Sequence, residues 1–179
     1  MADEKKEPWL NLLALTTVIL AVAATLSTFK GGGFSTRSVL RQSQASDQWA
    51  FYQAKSIKGN LYEMEVARLA RDVKALEGEK GGAVRVEEAR KALEEAKAKV
   101  AKYDQEKGEI KAKAETLEKE RDGAMRQGAP FGLAVIFLQI AILLSSIAAL
   151  LKKKPIYYAG LAVGAVGLLY FANGFFLFF

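Results

Sequence analysis

The sequence predicts an all-α membrane protein in which three transmembrane helices carry a long antiparallel, coiled-coil hairpin between the first and the second. Three segments of 22, 25 and 25 residues, at 8–29, 127–151 and 155–179, contain no Asp, Glu, Lys or Arg. About 20 mostly apolar residues let a helix cross the ~30 Å hydrocarbon core of a bilayer, so each segment is long enough to span it. All 26 basic and 20 acidic residues lie outside these segments, mostly in one insert at 30–126.

The first apolar segment predicts transmembrane helix 1 at 9–29, after a short N-terminal tail at 1–8. Three glycines at 31–33 follow it and predict a flexible break in the chain. Ser35 or Thr36 then offers an N-cap for a new helix. The charged insert is therefore expected to begin as a separate helix outside the membrane.

The insert at 30–126 contains two arms of similar length joined by a glycine-rich turn near 77–83. In the second arm, apolar residues recur at alternating steps of three and four, which is the spacing of a coiled-coil seam. A lone helix would leave this seam in water, so we expect the arms to pair as an antiparallel hairpin. The seam consists of Val86, Ala89, Leu93, Ala96, Val100, Tyr103, Ile110, Ala114, Leu117 and Ala124, and it is interrupted at Lys107 and Arg121.

The first arm supplies two shorter apolar stripes for this pairing. The two stripes lie on different sides of the helix. The first arm could therefore use both only if different sides of it faced the second arm along its length. The first stripe is Ala50, Ala54, Ile57, Leu61 and Met64, and the second is Val66, Leu69, Val73 and Leu76.

The segment at 42–58 mixes aromatic and polar residues on all sides of the predicted helix. A helix of this kind is usually buried on more than one side, so we expect Trp49 and Tyr52 to be substantially buried. The candidate structural motif comprises Asp47, Gln48, Trp49, Tyr52, Gln53, Lys55 and Lys107.

The position of the turn predicts which residues of the two arms lie opposite each other. Paired residue numbers should add up to roughly 160, because a coiled coil keeps one register along its length. Gln53 is then near Lys107, and Asp47 is near Lys111 or Lys113. We expect Lys107 to contact Gln53, Asp47 or a neighbouring subunit rather than apolar side chains.

Two more apolar segments predict transmembrane helix 2 at 129–151 and transmembrane helix 3 at 155–179. Pro130 and the glycine before it predict a bend at the membrane surface, and the basic triplet at 152–154 predicts a tight reversal. Glycines on one side of the third helix allow close helix packing in lipid. We expect them to contact helices of the same or of a neighbouring subunit. These oligomer-packing residues are Gly160, Gly164, Gly167 and Gly174.

The positions of the basic residues predict an orientation and a partner. The positive-inside rule applies to short loops, so it places the N-terminus and the 152–154 loop in the cytoplasm. The hairpin and the C-terminus are then on the opposite, periplasmic side. Residues 30–58 contain five basic residues and one acidic residue, which favours contact with membrane lipids of negative charge. Solvated helix surfaces are the alternative, and no signature of nucleic-acid binding occurs.

The composition disfavours catalysis. The chain contains neither Cys nor His, which removes thiolate chemistry and the side chain most often used as a general base or metal ligand. No P-loop, Rossmann glycine pattern or nucleophile elbow occurs. We therefore expect a protein that is not an enzyme and that uses no cofactor and no metal.

The order of segments resembles a family of small bacterial membrane proteins classed as a domain of unknown function. The resemblance rests on the segment at 45–58, Gln139, the basic triplet at 152–154 and the glycines of the third span, and it covers nearly the whole chain. It implies a bacterial inner membrane and supplies no activity. The family's longer, His-rich N-terminal tails have no counterpart here, so no metal role follows.

Two classes of function fit these features. The first is a non-enzymatic, membrane-anchored structural or assembly protein that self-associates through its hairpin and its third span. Such a homo-oligomer could also bind another membrane protein complex. The alternative is a subunit of an oligomeric channel or transporter. The predicted spans lack the ionisable residues that usually mark ion or proton pathways, which favours the first class.

Overall fold

The computed structural model describes residues 8–78 and 83–178. These residues form three α-helices, which are α1 (Pro8–Leu76), α2 (Ala83–Leu151) and α3 (Lys154–Phe176), and the described ranges contain no strand. The predicted all-α class is confirmed. Residues 1–7 of the predicted tail and residues 79–82 of the predicted turn lie outside the described ranges.

Each of the three helices contains a stretch that is long and apolar enough to cross a membrane. The 23 residues of α3 extend about 35 Å at 1.5 Å per residue, which matches a bilayer core of ~30 Å. The 69 residues of α1 and of α2 extend about 100 Å each. Each of these two helices is therefore about three times as long as the bilayer core is thick, so most of its length would lie outside the core.

The predicted break at residues 31–33 is wrong, because α1 continues through these glycines without interruption. Gly31 lies against α2, and a Cβ atom at this position would be 3.2 Å from the Cβ of Phe131. On α2, a Cβ at Gly128 would be 3.1 Å from the Cβ of Phe34. Glycine at both positions lets the two helices approach closely, so here it serves packing rather than flexibility. Ser35 and Thr36 are consequently interior helix residues.

The α2 helix is continuous across the position of the bend predicted before the second span. Pro130 lies inside α2, which is assigned as one helix from Ala83 to Leu151. Proline has no backbone N–H, so this turn lacks one helical hydrogen bond. Pro130 is buried.

The reversal between α2 and α3 occurs at the basic triplet, as the sequence predicts. Lys152 adopts a left-handed conformation with φ of 51°, and the Lys153 N–H donates a hydrogen bond to the Ala148 carbonyl at 3.2 Å. A proline in the first turn of α3 suits a helix start. The α3 helix therefore begins directly after Lys153.

The chain divides into two compact units. The three-helix unit comprises Met1–Leu40 and Glu120–Phe179, and the two-helix unit comprises Arg41–Lys119. The core of the three-helix unit is formed by small and aliphatic side chains, with Tyr157 packed in a second cluster. These core residues are Leu13, Leu20, Ala23, Ala24, Ala134, Leu138, Ala141, Ala148 and Tyr157.

Candidate functional site

The two-helix unit contains most of the residues that the sequence selected, and side-chain contacts join its two helical segments. Some of these contacts involve rings, and others are ion pairs. They include the Trp49 Nε1–H donating to Glu118 Oε1 at 2.9 Å, Lys55 Nζ to Glu106 Oε2 at 2.5 Å, the Tyr62 and Tyr103 rings with centroids 5.7 Å apart, and Arg90 Nη2 to Glu77 Oε1 at 2.5 Å.

The α2 side of this unit agrees with the apolar pattern of the sequence. The nine predicted seam residues that lie in this unit are buried or half-buried, and so is the tenth, Ala124, in the three-helix unit. Ala96, Ala114 and Leu117 are among the buried ones, and Ala114 has no exposed surface. Burial of these small residues is what a closely packed helix–helix seam requires.

The α1 side differs from the prediction in one important respect. The second stripe, from Val66 to Leu76, is buried or half-buried, but the first stripe is exposed along its whole length. Ile57, Leu61 and Met64 are 62%, 59% and 69% exposed. The expectation that this stripe packs on α2 is therefore wrong, and it forms an unpartnered apolar surface instead.

Aromatic residues explain why α1 turns a different side towards α2. Trp49, Tyr52 and Tyr62 are half-buried and Gly59 is buried. These four residues lie on the same side of α1 as the second stripe, which begins at Val66. A Cβ at Gly59 would lie 3.7 Å from the Cβ of Tyr103, an ordinary contact distance, so this side of α1 faces Tyr103 directly. Aromatic rings contribute large apolar surfaces when they pack between helices, which favours this phase. No change of phase is needed along the helix.

The aromatic residues of the predicted motif contact each other. The Trp49 and Tyr52 rings meet edge to face with centroids 5.6 Å apart. Gln48 is half-buried beside them, while Asp47 and Gln53 are exposed. The motif is thus divided between the contact side of α1 and its outer side.

Lys55 occupies the centre of the contact between the helices. Its ammonium pairs with Glu106 and lies 5.4 Å from the centroid of the Tyr103 ring. The hydrogen bond from Lys55 lowers the pKa of Glu106, and the same bond raises the pKa of Lys55. Both groups are therefore stabilised in their charged forms.

Lys107 does not contact the residues predicted for it. Its ammonium lies 2.7 Å from Asp104 Oδ1, one turn earlier on the same helix, and its side chain is only 18% exposed. That hydrogen bond raises the pKa of Lys107. The predicted partners Gln53 and Asp47 are exposed, because α1 turns its aromatic side inward.

The four glycines of α3 are all buried against helices of the same chain. A Cβ at Gly167 would lie 2.8 Å from Leu138 Cγ, and one at Gly174 would lie 2.7 Å from the Phe131 ring. Gly160 similarly faces Leu144, and Gly164 faces Leu20. This surface is therefore occupied within the chain.

Sequence reasoning missed several residues that form these contacts. In the sequence, nothing distinguishes Glu106 and Glu118 from the other charged residues of the second arm. Their contacts depend on which side of α1 faces α2, and the sequence did not show that side. Gly59 gave one usable indication, since an isolated glycine within good helix formers often marks a close approach. Within residues 8–78 and 83–178, no group of three or more acidic side chains is placed to hold a metal ion.

The comparison with known families gives one match. The family model described as a domain of unknown function, DUF4337, matches residues 9–177. No curated protein and no solved structure matches the chain. The family match includes all three helices and both units. The chain belongs to the DUF4337 family, a domain of unknown function.

Proposed function

We propose that this protein is a non-enzymatic, membrane-anchored assembly protein whose charged insert forms an antiparallel coiled-coil hairpin that binds a second copy of the chain. The order of the contacts in the two-helix unit supports the hairpin. From the Trp49–Glu118 contact to the Glu77–Arg90 contact, residue numbers rise along α1 and fall along α2. The buried seam of α2 gives further support.

The exposed stripe of α1 is the observation that carries the proposal of self-association. Its apolar residues recur at alternating steps of four and three from Ala50 to Met64, which is the spacing of a helix–helix seam. Phe51 adds a further exposed ring beside it. An apolar surface of this kind on a soluble segment marks an interaction site, because water contact with it is unfavourable.

The ends of the stripe define the length of the contact. The next seam position before Ala50 is Asp47, and the next one after Met64 is Arg68. Both are charged, and Arg68 is held on its own helix by ion pairs with Glu65 and Asp72. The contact is therefore about 20 Å long at 1.5 Å per residue.

The residues beside the stripe favour a second copy in parallel orientation. In a parallel pair of seams, Gln53 of one copy is beside Lys58 of the other, and Asn60 is beside Glu65. These flanking pairs beside the stripe bring no two like charges together. Two copies anchored in one membrane also extend α1 in the same direction from it, so a parallel contact is compatible with the anchors. Anchoring raises the effective concentration, which allows a short contact to suffice.

The glycine side of α3 does not serve this assembly, because helices of the same chain already cover it. The proposed contact therefore depends on the hairpin. The spans hold each copy in the bilayer and orient it.

The oligomeric state of a stripe variant tests the proposal. Leu61→Glu places a charge in the middle of the stripe, whereas Val84→Glu places the same charge on another exposed apolar residue, at 74% exposure. In lipid nanodiscs, native mass spectrometry should give oligomers for the wild type and for Val84→Glu, and monomers for Leu61→Glu. A monomeric wild type, or an unchanged Leu61→Glu oligomer, would contradict the proposal.

A further inference from the structure

We propose that the three-helix unit contains a binding site for the phosphate group of an anionic phospholipid. The site is a surface cavity of about 460 Å³, a volume within the range of small-molecule sites. The residues that concern its chemistry are Arg37, Glu120, Arg126, Gln127 and Leu177. The cavity thus combines cations, an amide and an aliphatic side chain.

The two arginines supply the affinity for an anion. Among the described residues, neither Arg37 nor Arg126 has a hydrogen bond or an ion pair. A guanidinium group can donate two parallel hydrogen bonds to a phosphate, and this geometry makes arginine a preferred phosphate ligand. Together with Glu120, the lining carries one net positive charge, which is the complement of a single phosphodiester.

The position of the cavity along the chain matches the headgroup layer of a bilayer. Arg126 is the last charged residue before the uncharged segment at 127–151, and Leu177 follows directly after the end of α3. The cavity is therefore at the ends of two membrane-spanning stretches. Phosphate groups of lipids occupy this depth, where basic residues attract anionic headgroups.

An adjoining groove of about 650 Å³ shares Arg37 and is lined by Phe29, Phe34 and the backbone of Gly32 and Gly33. A Cβ at Gly32 or Gly33 would meet no atom within 4 Å, so contacts within the protein do not account for these two glycines. Glycine is disfavoured inside a helix, and here its absent side chain keeps the groove open. The groove thus combines two phenylalanine rings with the polar side chains of Thr28, Lys30 and Thr36. The rings beside a cationic cavity fit a molecule with an acyl chain and a phosphate. Free phosphate would use the cavity alone.

Binding measurements on the full chain in detergent distinguish a phospholipid from free phosphate as the ligand. The ligands are phosphatidylglycerol, phosphatidylcholine and inorganic phosphate, each titrated separately, with retained lipid counted by native mass spectrometry. We expect phosphatidylglycerol to bind most tightly. The double variant R37Q/R126Q should weaken its binding at least tenfold, while the control K91Q/K99Q, which removes two exposed charges of the other unit, should leave it unchanged.

A second variant tests the groove without changing any charge. Gly33→Leu should fill the groove, weaken phosphatidylglycerol binding and leave any binding of inorganic phosphate unaltered. Equal binding of phosphatidylglycerol and inorganic phosphate would overturn the assignment to a lipid. Unchanged binding in R37Q/R126Q, or equal losses in that variant and in the control, would overturn the site itself.

Discussion

The two units of this protein hold their helices together in opposite ways. In the three-helix unit, the closest contacts occur where a side chain is absent, as at Gly31, Gly167 and Gly174. In the two-helix unit, the contacts between α1 and α2 depend on large side chains with polar ends, such as Trp49 and Lys55. The same two helices, α1 and α2, contribute to both units.

The helices of the three-helix unit are long and apolar enough to cross a membrane, and a bilayer around them would explain this difference. Lipid tails are as apolar as the helices, so helices in a bilayer associate through close van der Waals packing, which small residues permit. In water, burial of rings and aliphatic groups is itself favourable, and ion pairs can orient the partners. The three-helix unit should therefore be sensitive to added volume, and the two-helix unit to lost rings and charges.

Added volume at Gly167 should give the largest effect. A Cβ there would be 2.8 Å from Leu138 Cγ and 3.0 Å from the Leu138 backbone nitrogen, and the backbone cannot move aside. Gly167→Leu should lower the free energy of unfolding by about 3 kcal/mol or more, as overpacked cores do. Thermal unfolding followed by circular dichroism in detergent measures the loss. Gly132→Leu is the control, because a Cβ at Gly132 meets no atom within 4 Å. Equal melting temperatures for the two variants would contradict this view of the glycines.

Removal of one hydrogen bond in the two-helix unit should give an intermediate effect. Trp49→Phe keeps an aromatic ring but loses the Nε1–H donor to Glu118. The expected loss is about 1 kcal/mol, the usual contribution of a hydrogen bond of this kind. A double-mutant cycle with Glu118→Ala measures it, since the two changes should not be additive if they remove one interaction. Additive losses would show that the bond does not contribute to stability.

The Lys55–Glu106 pair should give the smallest effect, and one that depends on pH. The pKa of Glu106 is lowered by the hydrogen bond from Lys55. Its contribution to stability is therefore present above the ordinary glutamate pKa and is lost as the pH falls through the lowered value. Glu106→Gln should melt at a lower temperature than the wild type at pH 7, and the gap should close in acid.

A control separates this pair from general acid sensitivity. Glu88 is an exposed carboxylate of α2 that has no ion pair among the described residues. Glu88→Gln should follow the wild-type melting temperature across the whole pH range. A gap between the wild type and Glu106→Gln that stays constant with pH would contradict the role of the ion pair.

The same contrast between units explains how far the sequence could be interpreted. The charge-free segments and the α2 seam followed from composition and period, because long apolar runs and a regular 3/4 repeat have few alternatives. The glycines at 31–33 were misinterpreted as a break, because glycine often indicates flexibility, whereas α1 is continuous here and Gly31 allows close packing against α2. At the end of an apolar segment, the sequence alone does not show whether a glycine breaks the helix or packs against another helix.

The side of α1 that packs on α2 could not be predicted from the sequence, for a different reason. Two stripes of similar apolar content were available, and the choice depended on rings with polar atoms, such as Tyr52 and Tyr62. A count of apolar residues gives tyrosine too little weight, because its ring packs against other side chains although it carries a polar hydroxyl. The positions of Lys55 and Lys107 followed from that choice, so their partners could not be predicted either.

Disulfide trapping on α1 tests the proposed assembly most directly. The chain has no cysteine, so Leu61→Cys introduces a single thiol on the exposed stripe. Leu69→Cys introduces one on the half-buried side of the same helix. In a parallel contact, residue 61 of one copy is opposite residue 61 of the other, close enough for a disulfide. Mild oxidation in membranes should give dimers of Leu61→Cys and monomers of Leu69→Cys. Monomeric Leu61→Cys, or equal dimer yields from both variants, would contradict the account.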